Sequence, residues 1–124
     1  MKKKILVVDD KAAHRKLMKI YLSKNFNVAT SENGLVALRM LHEGLRPDII
    51  VTDLLMPEVD GTAFLDQIKS SYFYQHIPVM VLSSVETSTE KIRLLRAGAE
   101  DYLHKPFNPE ELEVRIEKIL QRTA

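Results

Sequence analysis

The chain is punctuated by short runs of β-branched and aliphatic residues that do not alternate with polar ones: Lys4 to Val8, Ile49 to Thr52 and Ile77 to Leu82. A strand with one wet face would alternate, so such runs suit strands covered on both faces, as in a parallel sheet. Between them apolar residues recur at helical spacing. Ala13, Leu17 and Ile20 share one face, as do Leu38, Leu41 and Leu45, then Phe64 with Ile68, and Leu112, Ile116 and Ile119.

Weaker strands fit at Asn27 to Thr30 and Asp101 to His104, with a further helix from about Thr89 to Arg96. Helix starts are marked: Asn108 precedes Pro109 at a first helical position with Glu111 three residues on, and Asp60-Gly61, Asn33-Gly34 and Ser88 are comparable. Five strands alternating with five helices over 124 residues predict an α/β domain with a doubly wound parallel sheet, order 2-1-3-4-5, and right-handed crossovers. The working crevice of such a sheet lies beyond the carboxyl ends of strands 1 and 3. No repeat, linker or low-complexity stretch interrupts the pattern, so residues 1–124 read as one domain.

A chain this long buries about two thirds of its unfolded surface, enough for a core without staples. Cysteine is absent, which excludes a disulfide framework or thiolate metal site. The longest apolar runs, such as Val79-Met80-Val81-Leu82, fall far short of the roughly 20 residues of a spanning helix, and no membrane segment is expected. Met1-Lys2-Lys3-Lys4 resembles the start of a signal peptide, but Asp9-Asp10 soon cuts the apolar stretch off. A solubilising start to a buried strand, and a cytoplasmic location, are expected instead. The 18 basic and 17 acidic residues are interleaved, leaving no footprint for direct nucleic-acid binding.

Strand 1 ends in Asp9-Asp10, strand 3 in Asp53 and strand 4 in Ser83-Ser84, while Lys105-Pro106 follows strand 5. All should converge on one rim. Three carboxylates there repel one another unless a cation neutralises them. Oxygen ligands without nearby His or Cys suit Mg²⁺, or Mn²⁺, rather than Zn²⁺. A carboxylate nucleophile, a bridging metal, an ammonium and a hydroxyl are the parts of in-line phosphoryl transfer onto an aspartate. Singly, each residue has a plainer reading: Asp9-Asp10 as a helix N-cap, Asp53 as a turn residue, Ser83-Ser84 as loop hydroxyls, Lys105 as a solvated charge. Their joint placement at four strand ends outweighs those separate readings.

The ordered set Val7-Val8-Asp9-Asp10, Asp53 with Met56-Pro57 and Asp60-Gly61, Ser83, Ala97-Gly98-Ala99 before Asp101-Tyr102, and Lys105-Pro106-Phe107 resembles the receiver domain of two-component response regulators. The resemblance, to the family of the bacterial chemotaxis regulator, covers essentially the whole chain. It implies a flavodoxin-like sheet and a phosphorylation-dependent switch, not an enzyme beyond its own phosphoryl transfer and dephosphorylation. Asp53 would be the phosphoacceptor, served by a phosphohistidine of a histidine kinase or phosphotransfer domain. Asp10, the Asp53 carboxylate and the Leu55 backbone carbonyl would hold Mg²⁺, with Asp9 acting through bound water. Lys105 would pair with Asp53 and then with a phosphoryl oxygen, Ser83 would hydrogen-bond another, and Tyr102 would report the state by its rotamer. A cis Lys105-Pro106 bond is also implied. Output would pass through helix 4, strand 5 and helix 5 to an unknown downstream protein or a phosphorylation-dependent homodimer. Asp101 and Arg115 lie where some receivers pair across such a dimer, although Glu117 replaces a basic residue often seen there.

The chain also departs from the family pattern. Ser84 replaces the usual Ala or Gly and should narrow the approach to the phosphoryl group. Leu55 and Val85, flanking positions in the family, are apolar and unable to orient an attacking water, so a long-lived phosphoaspartate is expected. A flavin binder of the same fold needs a phosphate cradle after strand 1, where Asp9-Asp10-Lys11-Ala12-Ala13 would repel a phosphate without metal. Neither G-x-x-x-x-G-K-[ST] nor G-x-G-x-x-G occurs. A degenerate, non-phosphorylated interaction module would lack an acidic, hydroxyl or Lys position, and all are present. Helical patterning leaves Gln121 to Ala124 after the last helix, too little for a DNA-binding domain. His14, His42, His76 and His104 lack metal-ligand spacing and read as surface or interface residues. Tyr72-Phe73-Tyr74 could form a docking patch, but reads first as an aromatic loop folding onto the preceding helix.

Overall fold

A computed structural model describes residues 2–56, 60–85 and 87–123. Elements alternate as β1 Lys4–Val8, α1 Ala12–Leu22, β2 Asn27–Ser31, α2 Gly34–His42, β3 Ile49–Asp53, α3 Gly61–Lys69, β4 Val79–Ser83, α4 Ser88–Arg96, β5 Asp101–His104 and α5 Pro109–Thr123. The strands form one parallel sheet ordered β2-β1-β3-β4-β5, as the patterning predicts. Register pairs Val8 with Thr52, Asp53 with Leu82 and Ser83 with His104, so the carboxyl ends of β1, β3, β4 and β5 finish at one rim.

The unalternating runs have a direct cause. Successive strand side chains point to opposite faces, and both faces are covered. Leu6, Val8, Ile50, Val79 and Val81 pack with Ala37 and Leu41 of α2, Phe64, Leu65 and Ile68 of α3, and Leu94 of α4. Ile5, Val7, Ile49, Val51, Met80 and Leu82 pack instead with Leu22 of α1 and Leu112, Ile116 and Ile119 of α5.

Several local expectations are corrected. On α1, Leu17 is 66% and Ile20 59% exposed, while Met18, Tyr21 and Leu22 face the core. Two apolar stripes of helical period share this helix, and the sheet takes the one that carries Leu22. Leu45 lies beyond α2, past Gly44 at φ 115°, yet still packs on the core. The N-cap of α4 is Thr87, whose hydroxyl accepts from the Glu90 N–H, and Ser88 is the first helical residue. Asn33 and Asp60 cap α2 and α3 as expected, accepting from Val36 and Ala63 N–H at 2.8 and 2.9 Å. At α5 the Asn108 side chain accepts from the Glu110 N–H at 2.8 Å, whereas Glu111 turns to Arg115 at 3.0 Å instead of closing a reciprocal cap. That helix continues through Gln121, Arg122 and Thr123. Of the aromatic triplet, Tyr74 packs back, edge-on to His42, but Tyr72 and Phe73 are 85% and 76% exposed. Pro57 lies outside the described residues.

Candidate functional site

Two strands that end side by side set the site. Asp9 leaves β1 buried, its N–H bonded to the Ser31 carbonyl at 3.0 Å. Its Oδ1 accepts from the Lys11 N–H at 2.9 Å, and the Arg15 guanidinium donates to its backbone carbonyl at 2.8 Å. The α1 N-cap is Lys11, without a side-chain capping bond, so the N-cap reading of Asp9-Asp10 does not hold. Asp10 is exposed at the mouth.

Asp53 closes β3 and is also buried. Its Oδ1 accepts from the Leu54 N–H at 3.1 Å and from the Lys105 ammonium at 3.0 Å. Burial pushes the Asp53 carboxyl above the ordinary carboxylate range; Lys105 opposes that shift and the neighbouring Asp9 charge adds to it. Lys105 also stands 3.9 Å from Asp9 Oδ2, and its bond to Pro106 is cis. It is therefore a held cation, not the solvated charge of the plainer reading. Its backbone N–H donates to the Ser83 carbonyl at 2.8 Å, which ties β5's exit to that of β4.

Asp9, Asp10 and Asp53 each offer an oxygen within 4.8 Å of the others. That hard, anionic donor set fits a divalent cation such as Mg²⁺ or Mn²⁺. Leu55, just beyond Asp53, turns its side chain to solvent and is 63% exposed. Ser83 is buried, its Oγ accepting from the Val85 N–H at 2.9 Å, while Ser84 is exposed. Tyr102 is buried, and its hydroxyl donates to the Val85 carbonyl. The structure thus brings Asp9, Asp10, Asp53 and Lys105 together, and links Ser83 to Tyr102 through Val85. Arg115 is paired within the chain, to Asp101 at 2.9 Å and Glu111 at 3.0 Å.

Sequence reasoning missed His14 and Arg15. His14 Nδ1 lies 3.3 Å from Asp9 Oδ2, so this histidine belongs to the site rather than to the general surface. The available signal was position: α1 begins three residues after Asp9, so residues one turn into it overhang the end of β1.

A family model described as the response regulator receiver domain matches residues 5–117. Response regulator MprA of Mycobacterium ulcerans is 40% identical over 124 residues, covering 99% of this chain and 52% of that protein. A histidine kinase of Formosa agariphila is 38% identical over 120 residues, covering 97% of this chain and 9% of its own length. The chain thus spans about half the length of the curated regulators it matches. Among solved structures, the receiver domain of a Francisella response regulator superposes with a TM-score of 0.90 at 32% identity, covering 98% of this chain and 99% of that one.

Proposed function

The chain belongs to the response regulator receiver domain family, and from that premise we propose that residues 1–124 form one receiver in which Asp53 accepts a phosphoryl group from the phosphohistidine of a histidine kinase or phosphotransfer domain. The observation that carries this reading is the 3.0 Å contact of Lys105 with Asp53 beside two further carboxylates. In the step, an Asp53 oxygen attacks phosphorus, the O–P bond forms as the N–P bond breaks, and the imidazole leaves with a proton. Lys105 then follows the charge from the carboxylate to a phosphoryl oxygen. Asp10, Asp53 and the Leu55 carbonyl would hold Mg²⁺ or Mn²⁺, with Asp9 acting through water, and the bound ion would supply charge neutralisation at the transferred group.

The switch would run through the Ser83–Val85 turn. Ser83 Oγ, which now accepts from the Val85 N–H, would donate its O–H to a phosphoryl oxygen, which draws the turn inward and removes the carbonyl that now holds Tyr102. Tyr102 lies on β5 between α4 and α5, so its movement reshapes the face offered to a downstream protein or a second copy. A cross-dimer ion pair would require Arg115 to exchange its own Asp101 for a partner's. The setting is cytoplasmic, without direct nucleic-acid contact by this domain.

Incubation with MgCl₂ and acetyl phosphate should add the mass of one phosphoryl group; an unmodified chain would refute the reading. MgCl₂ alone, at ten times its dissociation constant, should stabilise the fold by about 1.4 kcal/mol. In a melting experiment that is a rise of about 5 °C. The apolar Leu55 and Val85 beside the acceptor predict slow hydrolysis. Replacing Leu55 by Asn together with Val85 by Glu should shorten the phosphoaspartate lifetime about a hundredfold, the low end of what a positioned polar group contributes. Equal decay of wild type and double variant would count against this.

A further inference from the structure

We propose that His14 is a positioning residue that fixes the Asp9 carboxylate for the cation of the phosphoryl-transfer site; this rests on the function proposed above. Asp9 is buried; the Lys11 N–H donates to its Oδ1 at 2.9 Å, and His14 Nδ1 lies 3.3 Å from its Oδ2, close enough for an Nδ1–H to hold that oxygen. Two donors on two oxygens fix the carboxylate's rotation, leaving its remaining lone pairs aimed at the rim shared with Asp10 and Asp53. A neutral imidazole carrying its proton on Nδ1 suffices for this.

Among the described residues the cation near Oδ2 is Lys105, at 3.9 Å, and that ammonium already serves Asp53 at 3.0 Å. Without His14, Asp9 is free to turn toward Lys105, which both misaims the Asp9 oxygen and draws Lys105 off Asp53. Outer-shell partners of a metal site are worth about 10–100-fold in metal affinity, and because Asp9 acts through water the low end applies to His14. His14 sits on the solvent-facing side of this contact, its side chain 43% exposed, so it can be exchanged without opening the core.

Isothermal titration of MgCl₂ into the full chain tests the assignment, with wild type, His14→Leu and His14→Asn compared and melting temperatures confirming that each is folded. Leu removes the donor; Asn can place an N–H near the Nδ1 position. Expected is an Mg²⁺ dissociation constant about tenfold weaker for His14→Leu, with most of that loss restored in His14→Asn. At saturating Mg²⁺ all three should still take up a phosphoryl group. Unchanged or tighter binding by His14→Leu, or an Asn variant as weak as Leu, would overturn the role of His14 alone. A wild type that binds no Mg²⁺ would overturn the site reading with it.

Discussion

Asp53→Ala is expected to leave the chain unable to gain a phosphoryl group under conditions in which the wild type is modified. Among the described residues Asp53 is the buried carboxylate hydrogen-bonded to Lys105, and that group is lost with it. Asp9 cannot take over: its Oδ1 is tied to the Lys11 N–H, and it lies 3.9 Å from the ammonium against 3.0 Å for Asp53. Mass spectrometry after incubation with MgCl₂ and acetyl phosphate reads the outcome, and phosphate retained by Asp53→Ala would remove Asp53 from the reaction. The isosteric Asp53→Asn should be equally inert yet more stable. Because burial raises the folded-state pKa of Asp53, the folded chain holds that proton more tightly than the unfolded one. The stabilising contribution is therefore complete below the unfolded-state pKa and is lost as pH rises through the raised value. At neutral pH the ionised carboxylate opposes folding, Asn does not, and the melting temperature of Asp53→Asn should exceed that of wild type. The difference should shrink on acidification. A variant that melts lower at neutral pH would contradict the sign.

How much of this was legible in the sequence depended on whether a physical constraint left one solution. Ile5, Leu6, Val7 and Val8 announce a strand buried on both faces because no other environment accepts four consecutive apolar strand residues, and the two core clusters divide them alternately. Strand ends were legible for the same reason: Asp9 and Ser83 are the first polar groups after buried apolar runs, and Asp53 is the first charged group after Ile49 to Thr52. The inward face of α1 was not legible. Leu17 with Ile20 and Met18 with Tyr21 and Leu22 satisfy the same periodicity, and only docking onto the sheet selects between them. Glu111 could have closed a cap or paired with Arg115, and the Asp101–Arg115 pair beside it favours the second. His14 and Arg15 stayed hidden because their contacts are with Asp9, a turn back across the end of a strand, where spacing rules for a single helix do not reach.

Gly61→Ala should produce the largest loss of stability among single conservative changes around the site. Its N–H donates to the Leu54 carbonyl at 2.7 Å, bringing the first residue of α3 directly onto the chain leaving β3. A methyl built there would sit 2.4 Å from the Asp53 carbonyl oxygen and 2.7 Å from Leu54 Cα. Both are backbone atoms next to a fully buried strand, so no side-chain rotation relieves the collision; α3 or the β3 exit must shift. The expected cost is about 3 kcal/mol, the upper part of the range for overpacking. Gly44 provides the contrasting case. It adopts φ +115° with open space around its Cβ position, so Gly44→Ala meets backbone strain but no collision, and should cost about 1 kcal/mol. Denaturant unfolding of the two variants separates packing from strain. The Gly61 variant should also lose phosphoryl uptake beyond its loss of folded protein, because the displaced backbone carries Asp53 away from Lys105. Gly44, behind α2, should leave uptake unchanged once folding is corrected for. If Gly61→Ala matched Gly44→Ala in both measurements, the close approach of α3 to the end of β3 would not be what holds Asp53 in place.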